Sequence, residues 1–317
     1  MVRFLIRRFL WFLLTLWTVF TVSFFLMRAV PGGPFDGERK LEPDVKRVIE
    51  QRYNVDQPKW KQYVTHLGMA AGVLSEDGQW RLGLPDLGPS YRIRDYTVNQ
   101  IIAQGLPISA ALGILALSFG LVFGVTAGII AALNRQNFTD TGVMLLATVG
   151  IAVPNFWMAS IGIILFVFWI PLLPAAGWGS LSHLVLPAFC LGAPYAAYIA
   201  RLTRTGMLEV LHQDYIRTAY AKGLPARRVI MRHALKGALL PVVSFLGPAA
   251  AGILTGSLVI EKVFHLSGTG TYFVEAALQR DYPLAMGVVL VYTVVLYTMN
   301  VIVDISYAVL DPRIKLQ

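Results

Sequence analysis

Long apolar runs separated by short polar interruptions set the pattern of this chain. Six of them, at about 9–30, 107–133, 141–170, 184–206, 240–260 and 284–310, are long enough for helices that cross a bilayer, which takes roughly 20 apolar residues. Pro187 and Pro194 interrupt the fourth run, but membrane helices tolerate proline where neighbours satisfy the freed carbonyls. The pattern predicts an all-α integral membrane protein with six transmembrane helices. Its segments are a cytoplasmic N-terminus with the first span (1–30), an extracytoplasmic helical loop (31–96), a transmembrane core (97–310) and a cytoplasmic tail (311–317).

The first run is too long for a signal peptide and no small-residue cleavage site closes it, so it reads as an anchor. Arg3, Arg7 and Arg8 precede it and place the N-terminus in the cytoplasm. Six spans return the C-terminus to the same side. The loops expected outside at 171–183 and 261–283 hold only Lys262 and Arg280, whereas the third cytoplasmic loop carries Arg217, Lys222, Arg227, Arg228, Arg232 and Lys236.

Within 31–96, stretch 43–53 sets Val45, Val48 and Ile49 on one side, and 58–71 does the same with Trp60, Tyr63, Val64 and Leu67. Both predict short amphipathic helices. Ser75-Glu76-Asp77-Gly78, between Leu74 and Trp80, predicts a tight hairpin. Two readings of this loop stay open: contact with a soluble binding protein, or a lid without a partner.

The second span carries Gly113, Gly120, Gly124 and Gly128 on one helical face, and the fifth has Gly252 and Gly256. In lipid, where no hydrophobic force separates helix from helix, small residues permit close packing. These glycines are expected to touch another helix, of this chain or of a partner. In the last run Thr293, Tyr297, Asn300, Asp304, Tyr307 and Asp311 form a polar stripe. An intramembrane carboxylate is costly, so Asp304 is expected to line a pore, to act as a coupling carboxylate, or to pair with Arg201 or Arg204 near the inner end of the fourth span.

Residues 214–241 form a polar, basic island between apolar runs. Asp214 is suited to cap a helix through about Lys222, Gly223 to end it in a left-handed conformation, and Pro225 to open a second helix. Arg228, Arg232 and Lys236 fall at i, i+4 and i+8, one basic stripe. Asp214 to Leu224 read with Arg232, His233, Ala234, Leu235, Leu240 and Pro241 resemble the cytoplasmic coupling segment of ABC importer membrane subunits. The run Arg217-Thr218-Ala219, where many importers carry Glu-Ala-Ala, is similar to the oligopeptide and dipeptide branch, and closest to its first permease subunit. Resemblance extends to 31–39, 53–63, 87–90 and the Asp311-Pro312-Arg313 tail, with no counterpart for about 73–84. It implies half of a peptide translocation pathway, coupled to ATPase subunits through Asp214, Tyr215, Arg217, Thr218, Ala219, Lys222, Gly223, Leu224, Arg228 and Arg232. The implied partners are a second permease, two ABC ATPases, an extracytoplasmic peptide-binding protein and membrane lipid.

Composition agrees: hydrophobic residues make up 56% of the 317 and charged residues only 14%. The formal net charge of +9 follows topology and does not interleave with aromatic residues as a nucleic-acid surface would. Cys190 is the single cysteine, so no intrachain disulfide is expected. No Lys precedes Ser or Thr, so the phosphate-binding loop pattern is missing, and ATP and Mg are expected only on partner subunits. Leu266-Ser267-Gly268-Thr269-Gly270 is expected to be a turn, not an ATPase signature. Neither a metal-ligand spacing nor a nucleophile elbow is present. Alternatives are a permease for nickel or another small solute, a stand-alone secondary transporter or channel, or a membrane enzyme; an ABC permease is separated from the last two by bringing an ATPase with it on purification.

Overall fold

The computed structural model describes residues 2–36, 42–74, 79–80, 82–254 and 258–310. Gly256, the turn at Ser75 to Gly78 and the Asp311-Pro312-Arg313 tail lie outside the described residues, as does the side chain of Tyr307.

Helix is the only extended regular structure among the described residues, which also include irregular segments such as 82–97 and 170–181 and two isolated bridges, one joining Leu74 to Trp80 on either side of the expected hairpin. Four helices are long and apolar enough to cross a membrane: α1 (Val2–Ala29), α4 (Val98–Leu133), α7 (Ser182–Leu211) and α14 (Tyr282–Leu310). Two helix pairs, Phe138–Ala152 with Asn155–Trp169 and Ala226–Ala238 with Leu240–Ala250, are bent at a short break, which gives four to six candidate spans. Between α1 and α4 lie the short helices α2 (Pro43–Arg52) and α3 (Lys59–Ala70).

The expected single span at 141–170 is divided. α5 (Phe138–Ala152) and α6 (Asn155–Ile163), the latter continued by a π-helical turn at Ile164–Trp169, meet at 101°. Pro154 is the cause: its ring disfavours helical geometry at the preceding residue, and Val153 is extended at φ −81°, ψ 122°. Pro187 and Pro194, by contrast, sit inside an unbroken α7. The run at 240–260 yields α11 (Leu240–Leu254) and α12 (Leu258–Val263). α11 has 15 residues, about 22 Å at 1.5 Å per residue, which is shorter than a bilayer core. The expected outer loop at 261–283 is mostly helical, through the end of α12 and α13 (Thr269–Gln279). Gly268 caps α13, so the expected turn at 266–270 ends as the first residues of that helix.

Contacts group the chain into two compact units, which cut it differently from the expected segments. One comprises residues 109–266 and 296–317, the other 2–108 and 267–295. In the first, α7 is the central helix, and its span is mostly buried. In the second, Phe20 and Phe24 of α1 pack with Tyr63 and Leu67 of α3 around Met286. The apolar faces expected for the small helices are only partly used. Ile49, Tyr63 and Leu67 pack inward, while Val45, Val48, Trp60 and Val64 are exposed and Gln62 and Met69 are buried. Asp281, 1% exposed, organises the turn before α14. It accepts the Ser90 hydroxyl and the backbone N–H groups of Tyr91, Arg92 and Leu284, which satisfies a buried carboxylate without a cation.

Candidate functional site: the basic helix pair and the helix that carries it

Asp214 opens the basic segment, but not as a cap. The extended residue before the helix is Gln213, and Asp214 is the first residue of α8 (Asp214–Ala221), where its carboxylate lies 3.6 Å from Arg217 Nη1. An acidic residue there still favours the helix by complementing its N-terminal dipole. The helix ends on Gly223 as expected, at φ +76°. Gly223 N–H donates to Tyr220 O at 2.9 Å and Leu224 N–H to Ala219 O at 3.4 Å, the paired bonds of a Schellman motif. Pro225 is extended and precedes the second helix instead of joining its first turn. That second helix consists of α9 (Ala226–Arg228), a π-helical turn at Val229–Ala234 and α10 (Leu235–Ala238).

The π turn inserts one residue into the helical phase. Val229, Ala234 and Ala238 are all buried, at spacings of five and four, while Arg228, Arg232 and Lys236 remain exposed. One face therefore stays apolar although the sequence lacks strict i, i+4 order. Ile216, Ala219, Val229, Ala234 and Ala238 form a core with Ala132 of α4 and Met207 of α7. Fully burying Ile216 or Val229 contributes about 1.5–3 kcal/mol each. A Cβ on Gly206 of α7 would run into the carbonyl oxygen of Ala238, so backbone meets backbone where the segment docks.

The opposite face is open. Tyr215, Tyr220 and Met231 are large side chains left 45–57% exposed, beside exposed Arg217, Thr218, Lys222, Gly223, Arg228 and Arg232; Ala219 is buried and Leu224 half-buried. Among the described residues, Arg228, Arg232 and Lys236 have no ion-pair partner. Aromatic residues, Met and Arg mixed in this way are typical of a protein interface.

The helices beneath are held in two ways. A Cβ on Gly124 would lie 2.6 Å from Ala196 O, and one on Gly128 2.6 Å from Ala200 O; with Gly120 these residues seat α4 on α7 of the same chain, and Gly113 on the same helix is buried. Gly252 does not repeat the device, being exposed with Tyr195 Oη at an ordinary 3.5 Å. The second hold is an ion pair: Arg204 Nε and Nη2 donate to Asp140 Oδ1 and Oδ2 at 2.6 and 2.7 Å.

Of the two arginines expected as partners for Asp304, Arg204 is thus engaged by another carboxylate. Asp304 and Asn300 are half-buried on α14, next to Val303, whose methyls would crowd a Cβ on Gly247 of α11 at 2.7 Å. Asp140, just before the apolar run at 141–170, was not among the expected site residues. The available signal was an acidic residue in the first turn of an apolar helix. Glu261 was missed as well: it is fully buried and accepts the Ser109 hydroxyl at 2.8 Å.

Comparison with known families follows this geometry. Residues 124–316 match the family described as "Binding-protein-dependent transport system inner membrane component". The chain belongs to this family. Residues 1–113 match its companion N-terminal family, "Binding-prot-dependent transport system membrane comp, N-term". The boundary between these matches and the boundary between the two compact units both fall within α4. Relatives of this transport-system family include the oligopeptide transport system permease protein OppB of Escherichia coli K12, 44% identical over 99% of this chain and 100% of that protein. The dipeptide transport system permease protein DppB of Bacillus subtilis is 43% identical over 100% of this chain and 99% of that protein. DppB of Lactococcus lactis subsp. cremoris is 36% identical over the full length of both. Among solved structures, one titled as inward-facing conformations of the MetNI methionine ABC transporter aligns with a TM-score of 0.49 at 18% identity, covering 64% of this chain and 94% of that one.

Proposed function

We propose that this chain is a permease subunit of a peptide importer, forming half of the translocation pathway and coupling it to partner ATPases through residues 214–241. The observation that carries the coupling is the two-sided segment: Ile216, Val229 and Ala234 anchor it to the inner ends of α4 and α7, while Tyr215, Tyr220, Met231 and the arginines face outward. A mere orientation loop needs charge but no buried face. Full-length relation to oligopeptide and dipeptide permeases supports peptides as the solute.

In this reading α5 with α6 counts as one span and the apolar run from Leu240 onward as another, giving six, with residues 226–238 kept outside the membrane as part of the coupling segment, both termini in the cytoplasm and residues 31–96 outside. ATP binding and hydrolysis occur on two partner subunits. Closure of those subunits pushes on α8 and the following helix, and the packed α4–α7 pair transmits the displacement as a rigid body to the spans. Peptides arrive on an extracytoplasmic binding protein, and a second permease completes the pathway.

The test is reconstitution of the chain with its permease, ATPase and binding-protein partners in vesicles. ATP-dependent accumulation of a radiolabelled dipeptide is expected, with no saturable ATP binding by the isolated chain. ATP binding by that chain alone, or uptake that persists without ATPase subunits, contradicts this assignment.

A further inference from the structure

We propose that the unit formed by residues 2–108 and 267–295 contains a binding site for a short zwitterionic peptide, whose terminal carboxylate is held by Arg52 and Lys61. The proposal rests on the peptide reading above and gives that reading a location on this chain.

A cavity of about 320 Å³ lies within this unit, with Arg52, Lys61, His66 and Asp86 in its wall. Most polar groups nearby are already committed. Gln62 accepts from Arg28 Nε and donates to Val55 O and Gln57 O, and Asp86 Oδ1 accepts the Gly88 N–H at 2.9 Å. Two cations are less so, the Arg52 guanidinium lying only over the Tyr53 ring at 6.0 Å from its centroid. Among the described residues neither Arg52 nor Lys61 has a carboxylate partner, and His66 Nδ1 has no hydrogen-bond partner. Burial and the nearby Arg28 hold the His66 imidazole down to about 4. At neutral pH it is therefore uncharged and able to donate or accept one hydrogen bond.

Two cations without a carboxylate partner, beside one carboxylate, complement a molecule that carries both signs better than they complement a simple anion. Arg52 presents the planar fork suited to a carboxylate, and Asp86 retains a second oxygen for an ammonium group. Phe20 and Leu87 also belong to the wall of a second, apolar cavity of about 650 Å³ in the same unit. An apolar side chain lying over that shared wall would be covered while the charged ends stayed in the polar cavity. An inorganic anion would leave most of this space empty.

The test uses the full chain in discs of phosphatidylcholine and the dipeptide Leu-Leu. Saturable binding is expected. The C-terminal amide of the same dipeptide should bind about tenfold more weakly, as should Leu-Leu to the Arg52→Gln/Lys61→Gln double variant, the loss expected for one charge-assisted hydrogen bond or more. Both residues are exposed, so the thermal midpoint of the variant should match the parent. Equal binding of peptide and amide, or undiminished binding by the double variant, overturns the site. So does absence of peptide binding together with a phosphatidylglycerol-dependent rise in thermal midpoint that the double variant lacks, because the occupant is then a lipid headgroup. Uptake of Leu-Leu by the assembled complex is measured in parallel. Uptake without binding by the chain removes this site and leaves the importer; binding without uptake keeps the site and removes the importer.

Discussion

Arg204 of α7 closes a two-pronged ion pair on Asp140, the third residue of α5, with both nitrogen–oxygen distances at 2.6–2.7 Å. Asp140 is 4% exposed and also accepts the backbone N–H of Gln136, a residue held at φ 65°. One carboxylate thus fixes the turn between α4 and α5 and ties it to α7 one turn before Met207, which anchors the basic helix pair. Removing one partner leaves a poorly solvated charge. Asp140→Asn is expected to cost about 3 kcal/mol, read as a lower thermal midpoint in detergent, and the double variant with Arg204→Gln should recover part of it. Additive losses in the two single variants would show that the pair has no coupling energy.

Gly223 provides a second test, because no atom lies within 4 Å of the position a Cβ would take there. The cost of a side chain is therefore conformational, roughly 1–2 kcal/mol for an ordinary residue in the left-handed region. Gly223→Asn should be well tolerated, since Asn visits that region, whereas Gly223→Val should reduce ATPase co-purification and uptake at near-normal membrane levels. If both variants retain full coupled uptake, the left-handed turn is not needed for coupling.

Two glycine-to-alanine changes should move stability in opposite directions. At Gly128 the new methyl meets Ala200 O at 2.6 Å, and overpacking of this kind costs about 1–3 kcal/mol. At Gly142, inside α5, nothing lies within 4 Å, so Ala is expected to stabilise by about 0.5–1 kcal/mol through helix propensity. Thermal midpoints of the two variants, compared with the parent in one detergent, read the signs directly.

His66 sets a pH dependence. Its folded value of about 4 lies below the ordinary 6.5, so between these limits the unfolded chain binds the extra proton. The associated stability is complete above pH 6.5 and is lost as pH falls toward 4. His66→Phe should flatten the pH profile of the unfolding midpoint in that window. An unchanged slope in the variant would assign the dependence to other groups.

Local physics made much of this protein legible in advance. Apolar run length gave the membrane class and the four unbroken candidate spans, since burying that surface in lipid needs no knowledge of the partner helix. The glycine that closes α8 was readable because only its own φ is at issue. Other features are relations between distant residues, which tertiary contact alone decides. Spacing put Gly113, Gly120, Gly124 and Gly128 on one face, but contact of Gly120, Gly124 and Gly128 with α7 is what gives that face its meaning, whereas at Gly252 a Cβ would meet Tyr195 Oη at an ordinary 3.5 Å. A proline bends the chain at Val153 yet leaves α7 continuous, because the outcome depends on whether surrounding helices support the freed carbonyls. The π turn at Val229–Ala234 exists because Val229, Ala234 and Ala238 must all reach one core. Arg204 faces Asp140 and not Asp304 for the same kind of reason: the fold, not the charge pattern, sets which carboxylate lies within reach.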